Sequence, residues 1–293
     1  MSSSTLDTTA HLSGHPVTAL EPFGVRVDAA SPGAEATAPP IAGLPIAGLR
    51  ELARRHHLVL LRGFTGFADA GALTEWSARW GEIGMWPYGA VLELVEHDEP
   101  DDHIFDHRHV PLHWDGMYRE QIAEFQIFQC VSAPGEGDGG RTTFSQTEAV
   151  LRDAAPEHRE LWERVTGRYR RAVSEYAGEC VSPVVTTRPG GRAVIRYNEP
   201  VAAGEVFLNQ PDLEFTGVPG ELLPEFHRTL RTALHDPRHL YAHAWRDGDV
   251  VVADNYTLLH GREAFTSRSP RHLRRVHVLG TPPLENTALV HRR

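Results

Sequence analysis

His113 and Asp115 are separated by one residue, a spacing that suits two ligands of one metal ion. In a β-strand, residues i and i+2 point to the same face, so an imidazole and a carboxylate would be directed at one point. One further histidine would complete a facial triad of two histidines and one carboxylate, which leaves positions on Fe(II) open for oxygen chemistry. We predict that His260 is this third ligand and that the triad is the catalytic centre.

The His-x-Asp/Glu pattern occurs three times, and an isolated pair of this kind is most often two surface residues. His97/Glu99 lies in the acidic run EHDEPDD, which is typical of a solvated loop. His158/Glu160 lies in a helical stretch, where i and i+2 diverge. The pair at 113 and 115 alone follows a strand-like run, Val110–Leu112, and is therefore the favoured candidate.

His260 follows a hydrophobic run, Val250–Ala253, and a polar pair, Asp254-Asn255. This pattern predicts a strand, a turn and a second strand that carries His260 next to Gly261, which permits close backbone approach. The alternative interpretation is a core histidine beneath a turn.

Two further features suit a bound carboxylate. Period-2 alternation places Arg271, Leu273, Arg275 and His277 on one strand face, and a buried arginine there would bind a carboxylate with two parallel hydrogen bonds. In Gly139-Gly140-Arg141-Thr142, a glycine turn brings the hydroxyl of Thr142 to the start of a strand. The alternatives are an exposed basic edge strand and an ordinary hairpin turn.

Composition excludes several classes of protein. The 293 residues carry a formal net charge of -10 and no long Lys/Arg run, which argues against a nucleic-acid partner. Two cysteines cannot form a cysteine-based zinc site or a disulfide framework. No secretory leader and no run of 18 apolar residues is recognisable, so we expect no membrane association and a cytoplasmic location.

The elements that must position these residues are short strands separated by Gly/Pro turns, together with a few helices. They predict a mainly β fold with flanking helices around a double-stranded β-helix, the cupin-like jelly roll. We expect residues 1–20 to form a loose tail and residues 21–293 to form a single domain. The predicted helices are Ile46–His57, Asp69–Trp80, Pro156–Val165 and Gly220–Leu234, and the predicted strands include Leu58–Leu61, Val91–Val95, Val110–Trp114, Phe125–Val131 and Arg275–Leu279.

The order of these motifs along the chain resembles that of the TauD/TfdA-like family of Fe(II)/2-oxoglutarate dioxygenases. The order is His-x-Asp, then Gly-Gly-x-Thr, then a distal histidine and then two arginines. The resemblance covers about residues 45–281. It implies Fe(II), 2-oxoglutarate and O2 as cofactor and cosubstrates. It also implies that Arg271, assisted by Thr142, binds the distal carboxylate of 2-oxoglutarate, and that Arg275 contacts an acidic substrate.

Within that family, segments such as VPLHWDGMY, DGGRTTFS and ADNYTLLHGREAF are similar to the PvcB group. The similarity implies a small-molecule substrate, tyrosine isonitrile, which is desaturated across its Cα–Cβ bond with or without loss of the carboxylate. Three aromatic residues upstream of the metal motif, Trp86, Tyr88 and Phe105, are candidates for substrate contacts, although core packing would explain them equally well.

Three alternatives to this function stay open. Hydroxylation, or isonitrile formation from an N-carboxymethyl amino acid, would use the same cofactor chemistry. A zinc hydrolase would use the same three ligands. A non-catalytic jelly-roll binding protein would keep the fold alone, and the sequence also leaves a homo-oligomer open.

Overall fold

The computed structural model describes residues 11–30, 37–96, 98–172, 177–202, 204–267 and 271–290. Its α-helices are α1 (Ile46–His56), α2 (Ala70–Ala78), α3 (Thr147–Asp153), α4 (Pro156–Arg164) and α5 (Leu223–Leu234). Its strands are β1 (His11–Leu12), β2 (His15–Ala19), β3 (Val25–Asp28), β4 (Leu58–Arg62), β5 (Val91–Val95), β6 (Val110–His113), β7 (Gln121–Ser132), β8 (Thr142–Gln146), β9 (Thr166–Arg171), β10 (Gly178–Pro183), β11 (Val185–Thr187), β12 (Ala193–Ile195), β13 (Asp212–Thr216), β14 (Leu240–His243), β15 (Val250–Asp254), β16 (Leu258–Arg262) and β17 (His272–Glu285).

The larger sheet has eight strands in the order β1-β2-β3-β4-β15-β7-β17-β5. One face packs against α1 and α2, where alternate strand residues such as Val250, Val252 and Val276 join Leu49 and Trp76 in one buried cluster. The other face of the same strands is directed into the sandwich, as period-2 alternation requires.

The smaller sheet has four strands in the order β14-β8-β16-β6. Phe144 and Leu258 from this sheet share a buried cluster with Phe128, Val251 and Leu273 from the larger sheet. Two sheets with a common apolar interior form a jelly-roll sandwich, so the predicted fold class is confirmed.

A third layer lies outside the smaller sheet. The strands β9, β10 and β13 form one small sheet and β11 pairs with β12, and both pack with α3, α4 and α5 around a second large cluster that includes Tyr169, Tyr197 and Phe226. Of these strands, the sequence predicts only β12, from the short strand-like run Ala193–Tyr197.

The N-terminal segment differs from the prediction for residues 1–20. Strand β2 pairs with β3, with Val17 opposite Val27, and Val17 is buried in the cluster beneath α1. Burial of this side chain orders a segment whose Ser/Thr content suggested a loose tail. Residues 1–10 lie outside the described residues, and the single domain over 21–293 stays a prediction.

Several predicted elements are confirmed with small shifts at their ends. The helix at 46 ends one residue early because His57 adopts a left-handed conformation, with φ of 68°. The helix predicted from Gly220 begins as a 3-10 turn, and α5 starts at Leu223. His158 and Glu160 lie on α4 as predicted, whereas His97 is outside the described residues.

No helix among the described residues is both long and apolar enough to cross a membrane.

Candidate metal centre and substrate cavity

His113 and His260 are direct cross-strand partners. Strand β6 lies antiparallel to β16, with His113 opposite His260 in the register, and the two imidazole centroids are 4.2 Å apart. Gly261 makes this approach possible, because a Cβ atom at that position would lie 2.6 Å from the carbonyl oxygen of Val110. The predicted role of Gly261 is confirmed by this contact.

Asp115 reaches the same point from a turn rather than from a strand. Strand β6 ends at His113, so the prediction that the strand carries both ligands was wrong for Asp115. Asn255 fixes the turn instead, since its Nδ2 donates to the Asp115 carbonyl at 3.0 Å and to the Ala123 carbonyl at 2.9 Å. The Asp115 carboxylate lies 3.7 Å from His113 Nε2 and 3.8 Å from His260 Nε2.

The protonation states of these three residues suit a divalent metal. Burial lowers the pKa of both His113 and His260, so their imidazoles are neutral near pH 7. Burial disfavours ionisation of Asp115, but Arg275, His260 and His277 together hold the pKa of its carboxyl well below the ordinary value. The site therefore offers two neutral nitrogens and one carboxylate.

The geometry of the three residues fits a metal ion as well. One ligand atom from each lies within 4.8 Å of the others. His113 Nδ1 lies 2.9 Å from the Pro111 carbonyl oxygen, which accepts its proton and leaves the Nε2 lone pair for a metal. A backbone acceptor of this kind commonly fixes the tautomer of a metal-binding histidine. Two histidines and one carboxylate are the donor set of non-haem Fe(II) oxygenases.

Three polar side chains surround the other side of Asp115. Arg275 Nη1 lies 2.7 Å from Asp115 Oδ2, His277 Nε2 lies at 3.1 Å and Gln126 Nε2 donates at 3.2 Å. Neither His277 nor Gln126 is among the site residues predicted from the sequence. The strand alternation that placed His277 on the same face as Arg275 was a usable signal, whereas nothing in the sequence marked Gln126.

Arg271 and Thr142 meet as the sequence predicted. Arg271 precedes β17 and its Nη2 donates to Thr142 Oγ1 at 3.2 Å, while Trp245 Nε1 donates to the same oxygen at 2.9 Å. Burial, with a smaller effect of nearby Arg262, lowers the pKa of Arg271 to about 9, so the guanidinium stays charged near pH 7. Within the described part of the chain, no carboxylate pairs with Arg271, and a buried cation of this kind suits an anionic ligand.

Arg262 was not assigned a role from the sequence. It is buried, and its Nη2 donates to the carbonyl oxygens of Arg108 at 2.8 Å and of Asp106. These bonds tie the loop at 103–108 to β16, two residues beyond His260. Arg262 therefore positions cavity-lining residues of that loop, His103 and Ile104, next to the metal centre.

A cavity opens on the metal centre. The described residues that line it include predicted substrate contacts and others that the sequence did not indicate: Trp86, Tyr88, Leu92, His103, Ile104, Val110, Pro111, His113, Trp114, Asp115, Gly116, Met117, Tyr118, Arg119, Arg171, Ala177, Asn198, Phe207, Pro211 and Arg275. Trp86 and Tyr88 are stacked, with ring centroids 5.9 Å apart.

Phe105 does not lie among these lining residues, so its predicted contact with the substrate is not supported. It ends the short 3-10 helix His103–Phe105, and the first two residues of that helix face the cavity in its place. His103 stacks on Phe207, with ring centroids 4.5 Å apart. This pair forms an aromatic part of the cavity wall that was not predicted from the sequence.

The charge on the cavity wall is mainly positive. Arg119, Arg171 and Arg275 line it; Arg171 pairs with Asp102, and Arg275 pairs with Asp115, the one carboxylate among its described lining residues. Together with the stacked aromatic rings, these arginines suit a ligand that has both an aromatic ring and an acidic group.

The chain belongs to the Taurine catabolism dioxygenase TauD, TfdA family, which matches residues 19–277. It is therefore an enzyme of the Fe(II)/2-oxoglutarate-dependent dioxygenase class, in agreement with the fold and the facial triad.

Particular relatives lie closer than the family as a whole. The chain is 48% identical over 269 residues to the tyrosine isonitrile desaturase of Pseudomonas aeruginosa, and the aligned region covers 91% of each chain. It is 50% identical over 252 residues to the tyrosine isonitrile desaturase of Erwinia amylovora, covering 85% of this chain and 86% of that one. Among solved structures, PvcB, an Fe, α-ketoglutarate (2-oxoglutarate) dependent oxygenase from an isonitrile synthetic pathway, superposes with a TM-score of 0.81 at 43% identity over 99% of both chains.

Proposed function

We propose that this enzyme desaturates the Cα–Cβ bond of tyrosine isonitrile, with or without loss of the carboxylate. The observation that carries the proposal is a cavity with aromatic and cationic walls that opens directly on the facial triad. The names of the relatives at 48% and 50% identity supply the identity of the substrate.

The overall reaction balances without a further reductant. Substrate, 2-oxoglutarate and O2 give the alkene, succinate, CO2 and water, with a second CO2 where the substrate carboxylate is lost, so the two hydrogens leave the substrate as water. Iron with 2-oxoglutarate and O2 supplies the oxidising power when bound, and the protein contributes positioning and exclusion of water.

His113, Asp115 and His260 would hold the iron. Arg271 and Thr142 would receive the distal carboxylate of 2-oxoglutarate, because Arg271 is buried and has no carboxylate partner within the described part of the chain. A charge-assisted contact in this buried place fixes the orientation of the cosubstrate relative to the metal.

The substrate ring would lie against Trp86 and Tyr88, which support each other by stacking. Arg275 would contact the substrate carboxylate. It lines the cavity, and its Nε is buried with no hydrogen-bond acceptor among the described residues, so it retains a donor although Nη1 already contacts Asp115. This arrangement would present the benzylic carbon to the metal.

The alternatives of other classes leave part of the site unexplained. A zinc hydrolase has no use for a buried arginine that a threonine supports, and a binding protein has no use for a complete facial triad. Hydroxylation uses the same residues and differs in outcome alone, so it is distinguished by the product.

The test is mass spectrometry of the products from protein loaded anaerobically with Fe(II) and then supplied with 2-oxoglutarate, tyrosine isonitrile and O2. Succinate together with a product that lacks two hydrogens, or that lacks CO2 as well as two hydrogens, is the expected result. A product that gains one oxygen would identify a hydroxylase, and activity with zinc but without succinate would identify a hydrolase.

A further inference from the structure

The two carboxylate oxygens of Asp115 have different surroundings. Oδ2 is contacted by Arg275 at 2.7 Å, by His277 at 3.1 Å and by Gln126 at 3.2 Å. Among the described residues, no side chain or backbone group donates a hydrogen bond to Oδ1, and His113 Nε2 lies 3.7 Å from it. Three side chains therefore contact Oδ2, which also lies 3.8 Å from His260 Nε2, whereas Oδ1 is left available on the side of His113.

The donors that occupy Oδ2 are held by the larger sheet. Gln126 on β7 lies directly opposite His277 on β17, and Arg275 lies opposite Phe128 on the same two strands. Gln126 also donates to Asn255 Oδ1 at 2.9 Å, and Asn255 in turn holds the backbone of Asp115. Since strand positions and shared hydrogen bonds fix these side chains, the donors cannot easily follow the carboxylate if it rotates.

We propose that Arg275, supported by His277 and Gln126, keeps Asp115 a metal ligand through one oxygen only. A carboxylate with both oxygens available binds a cation through one or both of them. Binding through both would occupy one of the three positions that the facial triad leaves open. Chelation by 2-oxoglutarate and binding of O2 together use all three, so Arg275 is a positioning residue that preserves the third.

The charge of Arg275 gives this role a distinctive signature. A guanidinium 2.7 Å from the ligand carboxylate reduces the attraction of that carboxylate for a metal cation. Removal of the guanidinium should therefore strengthen metal binding while it removes an open position. A residue that merely stabilised the fold would weaken metal binding when removed, and it would leave the number of open positions unchanged.

The experiment compares Arg275→Met with the wild-type protein as Mn(II) complexes, without organic substrate or O2. The affinity for Mn(II) is measured from the EPR signal of free Mn(II), and the bound waters are counted from water-proton relaxivity per bound Mn(II). We expect binding to tighten by roughly threefold or more. We expect relaxivity to fall by about one third, as three bound waters become two.

Arg159→Met is the control, because Arg159 pairs with Glu163 on α4 and does not line the cavity. It should retain wild-type affinity and relaxivity. Arg275→Lys retains one charged donor and should keep the relaxivity near the wild-type value. Gln126→Leu should lower the relaxivity slightly.

Unchanged relaxivity in Arg275→Met, or a large loss of Mn(II) affinity in a variant with wild-type thermal unfolding, would overturn the proposal. If Arg275→Met does not fold, the Gln126→Leu variant is measured in its place. Unchanged relaxivity in Gln126→Leu would then overturn the proposal. Because no organic substrate is present, the result is independent of whether tyrosine isonitrile is the substrate.

Discussion

Arg271 Nη2 donates a hydrogen bond to Thr142 Oγ1 at 3.2 Å, which joins the start of β17 in the larger sheet to the start of β8 in the smaller one. The contact places a buried cation between the two sheets and next to a hydroxyl. It is the structural basis for the proposed binding of the distal carboxylate of 2-oxoglutarate.

Replacement of Arg271 by alanine should mainly raise the 2-oxoglutarate requirement. Loss of a charge-assisted contact in a buried site costs about 2–4 kcal/mol, equivalent to roughly 30- to 1,000-fold in affinity. Thr142→Val removes one neutral hydrogen bond and should cost roughly three- to tenfold. The measurement is a 2-oxoglutarate titration of succinate formation, and an unchanged titration curve for Arg271→Ala would transfer the role to another arginine.

Asp115→Ala should abolish iron binding or turnover while the fold survives, because it removes the one carboxylate of the triad. Asp115→Glu should also be poor, since the extra methylene moves the carboxylate by about one bond length. Iron content and succinate formation are measured beside thermal unfolding. Glu214→Ala is the control, because its side chain is 52% exposed, and wild-type rates in Asp115→Ala would remove Asp115 from the site.

Gly261→Ala should separate β16 from β6 and weaken metal binding. The added Cβ would lie 2.6 Å from the Val110 carbonyl oxygen and 3.1 Å from Thr143 Oγ1, so the strand that carries His260 must move. Gly220→Ala is the matched control, because nothing lies within 4 Å of its added Cβ. Titration with Fe(II) or Mn(II) measures the effect, and equal affinities for the two variants would show that Gly261 does not set the spacing of the histidines.

Arg275→Ala, assayed at saturating metal, should weaken binding of the substrate acid more than that of 2-oxoglutarate. The buried carboxylate of the proposed substrate needs a cationic partner once water is excluded. The expected phenotype is slower succinate formation, because an open metal position is lost, together with uncoupling of the turnover that remains, in which succinate forms without a matching amount of alkene. Tyrosine isonitrile and 2-oxoglutarate are each titrated, and succinate and alkene are both quantified. A loss of affinity confined to 2-oxoglutarate would show that Arg275 does not bind the substrate acid.

The sequence predicted the parts of the site that rest on local spacing. His113, Asp115 and His260 were indicated by short-range patterns, and the joint role of Arg271 and Thr142 by the resemblance to the TauD/TfdA-like family. The jelly roll followed from many short strands separated by turns.

The contacts that the sequence did not predict are set by long-range packing. Gln126 and Asn255 surround Asp115 because β7 and β15 are neighbours in the larger sheet, and no local pattern contains that pairing. Strand β9, which carries Arg171 to the cavity, has the polar sequence TGRYRR, so it lacked the hydrophobic run that marked other strands. Phe105 is not among the residues that line the cavity, because a 3-10 turn decides which of three consecutive side chains faces it, and its contact with the substrate stays a prediction.

The most direct measurement follows deuterium through a single turnover. Tyrosine isonitrile carrying two deuteriums at Cβ is mixed with the anaerobic Fe(II)·2-oxoglutarate enzyme, O2 is admitted, and succinate and organic product are quantified together. Desaturation at the benzylic carbon predicts one succinate per alkene and a product that retains one of the two deuteriums. Succinate formed with both deuteriums retained, or a product with one deuterium replaced by hydroxyl, would contradict the proposed desaturase.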